Sequence, residues 1–198
     1  MAFTFFFRDM NTFNVVEKHV FPWLKSQRYI DVWDAGCANG AEPYTLAILL
    51  HENMGQFQFR NVRITATDLN GLFHDTITTG TYPQEQVSRI PRDIFERYFT
   101  PHEQPGHYVL ADVLRKSISF QQHDLSTLTP VRDNFRLVVC KNVLLHLSPE
   151  QRVGVLKMFH DSLCEGGFLA VEQTQKLPPA AERWFKPVSG CGPVFQKC

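Results

Sequence analysis

Short apolar, β-branched runs alternate along the chain with segments whose apolar residues recur every three or four positions. The runs predict buried strands, and the recurring positions predict helices that bury one face. The first predicted elements are a helix at 13–25 that bends or ends near Pro22, a strand at 29–35, a helix at 42–52, a strand at 62–67 and a helix at 70–78. The alternation predicts an α/β fold with a mostly parallel, Rossmann-like sheet.

Residues 80–118 interrupt this alternation. Four prolines fall in this stretch, around one short amphipathic segment at 93–99. We interpret the stretch as a small subdomain inserted into a single domain that covers residues 1–198. The sheet then resumes with predicted strands at 118–121 and 135–140, a helix from Ser148-Pro149 to Gly166-Gly167, a strand at 168–171 and an edge strand at 194–196.

The overall charge of the chain bears on which kinds of molecule it could bind. Lys plus Arg and Asp plus Glu each number 20, so the formal net charge is zero and nothing indicates binding to nucleic acid. Apolar runs fall far short of the ~20 residues that a membrane span needs. We therefore expect a cytoplasmic protein without membrane insertion. The sequence identifies neither the partner nor the oligomeric state.

The cysteines and histidines give no pattern typical of a bridge or a metal site. The five cysteines are Cys37, Cys140, Cys164, Cys191 and Cys198, and no two of them form a C-x-x-C pair. An odd number without such pairing predicts reduced thiols. The histidines also lack ligand spacing, so no bound metal is predicted.

A glycine-containing turn after the first strand is the main chemical signal. Gly36 and Gly40 bracket this turn at the start of a predicted helix, where free N–H groups can meet a ligand. The turn matches neither G-x-G-x-x-G nor a P-loop, which favours a cofactor without phosphates. Asp68 ends the second strand, a position from which a carboxylate accepts hydrogen bonds from ribose hydroxyls. Together these features predict an adenosyl ligand.

Four segments, in order, then resemble the motifs of one family. They are Thr4–Asp9 (TFFFRD), Gly36–Tyr44 (GCANGAEPY), Ala66–Asp68 (ATD) and Cys140–Val143 (CKNV). The set resembles the T-x-F-F-R, G-x-x-x-G-x-E-P-Y, A-[ST]-D and C-R-N-V motifs of the CheR methyltransferases. The likeness continues through Gly80-Thr81-Tyr82 and Arg97-Tyr98-Phe99, and so covers nearly the whole chain.

This resemblance implies a class I methyltransferase sheet with an inserted antiparallel β subdomain. It also implies that S-adenosylmethionine is the cofactor and S-adenosylhomocysteine the product. CheR proteins usually carry a helical N-terminal domain implicated in docking the receptor, and these 198 residues begin at the T-x-F-F-R segment. The resemblance therefore leaves open how this chain recognises a receptor, including whether a docking domain is supplied by another chain.

The resemblance also assigns site residues position by position. It places Thr4, Arg8 and Glu42 at the methionine end of the cofactor, where opposite charges meet its carboxylate and ammonium. The further cofactor-binding residues implied are Gly36, Ala38 and Gly40 in the turn, Asp68 and Leu69 at the ribose, and Asp124, Leu125, Lys141 and Asn142 along the adenine and the approach to the sulfonium.

Three positions depart from the family pattern. Ala2 and Asp124 each replace an Asn, and Lys141 replaces an Arg. A lysine cannot reproduce the two-pronged contact of a guanidinium. From residue type alone, Arg8 and Lys141 are both expected to be ordinary solvated charges. The family motif changes this expectation for Arg8, which is predicted to bind the cofactor, but not for Lys141.

The positions that the resemblance places near the methyl acceptor also differ from the family pattern, so the sequence does not identify the acceptor. His146 replaces a Tyr, and Glu172–Gln175 (EQTQ) replaces the family's G-H-S-E. The catalytic candidates are His146, Asn142 and Arg8, with His146 as a possible base for a hydroxyl or amine acceptor, although a lone His is commonly just packed or solvated. The hypotheses are a protein glutamate carboxylate, a small-molecule or peptide O/N acceptor, and a non-catalytic cofactor-binding regulator.

Overall fold

The computed structural model describes residues 4–188, 190 and 192–198 of the chain. Within them, the strands are β1 (Ile30–Ala35), β2 (Val62–Asp68), β3 (Thr81–Pro83), β4 (Phe99–Pro101), β5 (His107–Leu110), β6 (Ile118–Gln122), β7 (Phe135–Cys140), β8 (Leu163–Val171), β9 (Phe185–Pro187) and β10 (Val194–Lys197). The α-helices are α1 (Met10–His19), α2 (Phe21–Leu24), α3 (Ala41–Phe59), α4 (His74–Thr79), α5 (Gln84–Val87), α6 (Arg92–Tyr98), α7 (Asp112–Arg115) and α8 (Pro149–Ser162).

Seven strands form the central sheet in the order β6-β2-β1-β7-β8-β10-β9. The pairs from β6 to β8 are parallel, and β10 pairs antiparallel with both β8 and β9. This is the predicted mostly parallel α/β sheet. The prediction of an edge strand at 194–196 was wrong in one respect, because β10 lies between β8 and β9 and β9 forms the edge.

The central strands bury side chains on both faces of the sheet. Val32 of β1 packs with α1, α2 and α3 on one side, whereas the next residue, Trp33, packs with α8 on the other. Successive residues of a strand point to opposite faces, so a strand covered by helices on both sides needs a continuous apolar run. β7 has such a run at 137–140, whereas the apolar residues of β1 and β2 are interrupted by Asp31, Asp34 and Arg63.

The predicted helix end at Gly166-Gly167 was wrong, since α8 ends at Ser162 and both glycines lie inside β8. Gly166 has a φ of 72°, and the register between β7 and β8 shifts at this place. A Cβ on Gly167 would lie 3.0 Å from the carbonyl oxygen of Cys164. The two glycines therefore permit a β-bulge and a close approach of backbones, and do not end a helix.

Two helices also differ from their predicted bounds. The helix predicted at 13–25 is two helices, α1 and α2, separated at Val20. The helix predicted at 42–52 extends to Phe59, with a non-helical φ of 71° at Gly55.

A second, antiparallel sheet with the order β3-β5-β4 lies within residues 80–118. The hydroxyl of Tyr82 in β3 donates to the carbonyl oxygen of Asn39 at 2.8 Å. The small sheet thereby supports the glycine turn after β1. The treatment of residues 80–118 as a separate subdomain stays a prediction. No helix in the described part of the chain is long and apolar enough to cross a membrane.

Candidate cofactor site

A cavity of about 330 Å³ opens at the carboxyl ends of β1, β2 and β7. Crevices at this edge of an open parallel sheet are where ligands of such folds bind. The residues predicted for the site that line it are Thr4, Arg8, Gly36, Ala38, Glu42, Asp68, Lys141, Asn142 and His146. Cys37, Val143 and Leu145 also line it and were not predicted. The fold thus brings together residues from four separate segments of the chain.

The glycine turn that lines the cavity requires a glycine at residue 36. Gly36 has a φ of 94°, and a Cβ there would lie 2.2 Å from a methyl carbon of Val143. Only glycine accommodates both the left-handed backbone and the close approach of the loop after β7. Because Val143 occupies the space that a side chain at residue 36 would need, the turn after β1 and the loop after β7 lie against each other.

The carboxylate of Asp68 is held in place by two backbone groups. Its Oδ2 accepts the N–H of Ala38 at 2.9 Å, and its Oδ1 accepts the N–H of Asn70 at 2.9 Å. The residue lies at the end of β2 and lines the cavity. Each carboxylate oxygen can accept more than one hydrogen bond, so both retain capacity for ribose hydroxyls.

Lys141 is buried, which corrects the expectation of a solvated charge. Its side chain is 0% exposed, and its Nζ lies 3.0 Å from Oε2 of Glu42. The same Nζ donates to the carbonyl oxygen of Arg8 at 3.2 Å and lies 4.2 Å from the centre of the Phe13 ring. These three partners compensate for the loss of water around the ammonium.

Glu42 lies at the start of α3 and is nearly as buried as Lys141. Burial raises the pKa of the Glu42 carboxyl, an effect larger than the lowering caused by the charges of Lys141 and Arg8. An additional positive group in the cavity would favour the ionised form of Glu42. A ligand ammonium is such a group.

The segment that carries Arg8 is anchored by its neighbours. Phe6 is buried and meets Tyr82 and Phe99 edge to face, with ring centres 4.9 and 5.6 Å apart. The N–H of Phe7 donates to Oγ1 of Thr45 at 3.0 Å. Arg8 is thereby held over the cavity, with its Nε 3.3 Å from a carboxylate oxygen of Asp9.

The loop after β7 forms the remaining wall. Asn142 has a left-handed φ of 58°, and its N–H donates to Oε2 of the buried Glu172 at 3.0 Å. A single 3-10 turn at Leu144–His146 follows and places His146 at the exposed rim. The His146 side chain makes no hydrogen bond or ion pair with any residue that the structure describes.

Four residues assigned by the resemblance lie outside this cavity. Gly40 lies at the N-terminus of α3 behind the turn, and Leu69 is 65% exposed beside Asp68. Asp124 accepts the N–H of Ser126, a bond that lowers its pKa, while Leu125 packs against the core. Their roles toward the adenosyl group stay predictions. Ala2 falls outside the described residues.

Several residues of the site were not found from the sequence. Cys37 could have been found, because it lies within the glycine turn. Glu172 was noted only as part of the changed Glu172–Gln175 segment, and its contact with Asn142 joins two segments that are distant in sequence. Asp34, in β1, gave no signal. Burial raises the pKa of the Cys37 thiol, which leaves it a poor nucleophile. In the described parts of the chain, no group of three or more His, Cys, Asp or Glu could hold a metal ion.

Two solved methyltransferase structures resemble the fold of this chain. A TehB-like methyltransferase from Corynebacterium glutamicum matches with a TM-score of 0.52 and 16% identity, over 90% of this chain and 85% of its own. PKMT2 from Rickettsia typhi, solved with AdoHcy, matches with a TM-score of 0.51 and 14% identity, over 86% of this chain and 26% of its own. At these identities the likeness shows the Rossmann-like fold.

The sequence identifies the family within that class. Residues 2–191 match the family model described as "CheR methyltransferase, SAM binding domain", so the chain belongs to the CheR methyltransferase family. A chemotaxis protein methyltransferase of Listeria innocua serovar 6a is 34% identical over 174 residues. That match covers 87% of this chain and 64% of the relative, so the chain spans just under two-thirds of the relative's length.

S-adenosylmethionine is the cofactor of this domain family, and the groups in the cavity suit it. The cofactor carries a carboxylate, an ammonium, a positive sulfonium and two ribose hydroxyls. The cavity offers a guanidinium at Arg8 and oriented carboxylates at Glu42 and Asp68. Charge-assisted hydrogen bonds need such opposite partners.

Proposed function

We propose that this chain transfers a methyl group from S-adenosylmethionine to a carboxylate, and that the acceptor is a glutamate side chain of a protein. The observation that carries the proposal is the cavity that unites Arg8, Glu42 and Asp68 at the carboxyl edge of the sheet in a CheR family member. Arg8 would bind the carboxylate of the methionine moiety, Glu42 its ammonium, and Asp68 the ribose.

The bound cofactor supplies a methyl group on a positively charged sulfur, ready for in-line displacement. The contribution of the protein is then mainly to hold donor and acceptor in line and to exclude water. Asn142 is suited to positioning, because its backbone is fixed by Glu172 and it lines the wall opposite the glycine turn. Arg8, Asn142 and His146 remain the catalytic candidates.

A carboxylate acceptor is favoured because the cavity lacks an oriented base among its described residues. Glu42 is paired with Lys141, and Asp68 is held by two N–H groups. His146 is exposed, and no residue that the structure describes orients its ring, whereas a catalytic base is usually oriented by a third group. A carboxylate is already ionised at neutral pH and needs no base.

The direct test is label transfer from tritiated S-adenosylmethionine to a purified chemoreceptor cytoplasmic fragment. The family resemblance and the name of the Listeria relative suggest this acceptor. We expect label on the fragment that mild base releases as volatile methanol, as for a methyl ester. A fragment whose acceptor glutamates are changed to glutamine is the control and should remain unlabelled.

Two other outcomes would contradict the proposal. Base-stable label would indicate methylation at a hydroxyl or amine. In that case His146→Ala should lower the rate by about 10²–10⁴-fold, the usual contribution of a general base, whereas carboxylate transfer should be little affected. Tight cofactor binding without transfer to any acceptor would indicate a regulator instead of an enzyme.

A further inference from the structure

Asp34 is a buried carboxyl that the proposed reaction leaves without a role. It lies in β1, two residues before Gly36, and it is 0% exposed. Neither of its carboxyl oxygens has a hydrogen-bond partner among the residues that the structure describes. The other buried carboxyls of the region differ, since Glu42 is paired with Lys141 and Glu172 accepts an N–H.

A buried carboxylate without partners is strongly disfavoured, so such a group stays protonated. Burial raises the pKa of Asp34 well above its ordinary value, and the charge of Glu42 raises it further. The titratable groups that interact with Asp34 are Glu42 on α3, Asp68 on β2, Lys141 after β7, and the thiols of Cys37 and Cys140. Of these, only Lys141 is positive, and its ammonium is already bound to Glu42.

Four of these groups, Glu42, Asp68, Lys141 and the thiol of Cys37, line the cavity where the cofactor would bind. The methylated cofactor carries one positive charge more than its demethylated product, because its sulfur is a sulfonium and that of the product is a neutral thioether. A positive charge that enters a low-dielectric site favours ionisation of a nearby carboxyl. The product shares the ammonium and the carboxylate of the cofactor but lacks the positive charge on sulfur.

We infer that Asp34 makes the site distinguish the methylated cofactor from its product by charge, releasing a proton when the sulfonium binds and regaining one when the thioether is formed. This inference rests on the proposed function. In the binding step the O–H bond of Asp34 breaks and the proton passes to solvent. After methyl transfer the sulfur is neutral, the acceptor is an ester, and the Asp34 carboxylate takes a proton from water. Charge therefore balances at each step.

The test is calorimetric titration with S-adenosylmethionine and S-adenosylhomocysteine in buffers of different ionisation enthalpy. The difference in apparent heat between buffers gives the number of protons released. We expect S-adenosylmethionine to release up to about one proton more than S-adenosylhomocysteine at pH values between the pKa of Asp34 in the S-adenosylmethionine complex and its raised pKa in the free protein. As pH rises, the dissociation constant of S-adenosylmethionine should fall by up to about tenfold per pH unit, while that of S-adenosylhomocysteine changes little.

Two variants make the result specific to Asp34. In Asp34→Asn, a neutral group of the same size, the difference between the two ligands in protons released should vanish. The matched control is Asp31→Asn on the same strand, whose carboxylate lies 2.8 Å from Arg132 and does not line the cavity. It should behave as wild type. Equal proton release by both ligands in wild type, or an unchanged difference in Asp34→Asn, would overturn the inference.

A measurement on the free protein separates this inference from the proposed function. Carbon-13 NMR of labelled aspartate carboxyls should show one group, absent in Asp34→Asn, that titrates well above the others. An Asp34 signal in the ordinary range would overturn the inference even if the cofactor binds. Failure of wild type to bind either ligand would overturn the proposed function, and the inference with it.

Discussion

At the residue scale, the site depends most on the buried ion pair between Lys141 and Glu42. Both charges lie at the cavity wall and are largely removed from water. A pair of this kind adds little net stability, but loss of one partner leaves an uncompensated charge. The lysine thus keeps Glu42 in place and lowers the pKa that burial raises, before any ligand ammonium arrives.

Replacement of the lysine should therefore be costly for stability. We expect Lys141→Met to lower the free energy of unfolding by about 3–5 kcal/mol, since Glu42 stays buried without its partner. Urea denaturation measures this change. The double variant Lys141→Met/Glu42→Gln should recover part of the loss, because it also removes the orphaned charge. If the single variant loses less than about 1 kcal/mol, the pair is not buried in solution.

Asp34 gives a second prediction at this scale, on the pH dependence of the ligand-free protein. Its pKa is raised in the folded state, so the folded protein binds this proton more tightly than the unfolded chain does. Its contribution to stability is full below the unfolded pKa of about 4 and is lost as pH rises through the folded pKa, by up to about 1.4 kcal/mol per unit.

Asp34→Asn lacks this titration. Its stability relative to wild type should therefore grow as pH rises, which urea denaturation at several pH values from about 5 to 8 would show. If the two proteins gave parallel curves over that range, Asp34 would have an ordinary pKa in the folded state.

At the scale of elements, the site depends on the contact between two loops. The glycine turn after β1 and the loop after β7 meet where Val143 packs on Gly36. The bond from the Asn142 N–H to Glu172 holds the second loop from behind. The cavity between them therefore has walls fixed by backbone geometry, as a preorganised site requires.

We expect Gly36→Ala to abolish measurable cofactor binding, because the new methyl would lie 2.2 Å from Val143 at a φ of 94°. The matched control is Gly55→Ala, which shares a positive φ of 71° but has nothing within 4 Å of the added Cβ. It should cost about 1–2 kcal/mol of stability and leave the dissociation constant unchanged. Calorimetry and thermal melts measure both. Equal loss of binding in the two variants would mean that backbone strain alone, and not the loop contact, explains the effect.

The elements also show what the sequence could and could not predict. β7 was predicted from its apolar run, which reflects burial on both faces, and β1 and β2 were predicted from mostly apolar segments that lead into the glycine turn and into Asp68. The start of β8 was missed because Gly166-Gly167 is typical of a helix end, and only its pairing with β7 reveals a bulge.

The same limit applies within the site. Asp68 and the glycine turn have local patterns and could be predicted from them. The burial of Lys141 depends on Phe13 and Glu42, which are distant in sequence, and the isolation of Asp34 depends on groups that no local pattern contains.

At the scale of the whole molecule, the charged and polar groups of the candidate site lie together at one edge of the central sheet. The first strands contribute the turn and Asp68, the segment before α1 contributes Arg8, and the loop after β7 closes the wall. The small sheet β3-β5-β4 supports this edge from the side through Tyr82. The fold and family define an S-adenosylmethionine-binding domain, and we propose that the charges of the cavity set the orientation of the cofactor in it.

The most direct measurement is therefore calorimetric titration of the purified chain with S-adenosylmethionine, for wild type, Asp68→Ala and Glu42→Ala. Asp75→Ala, an exposed carboxylate on α4 outside this cavity, is the control. We predict micromolar binding to wild type and to the control, and a loss of about tenfold or more in each of the two cavity variants, as for removal of a charged hydrogen-bond partner. Wild-type affinity in both cavity variants, or no binding to folded wild type, would contradict this account of the site.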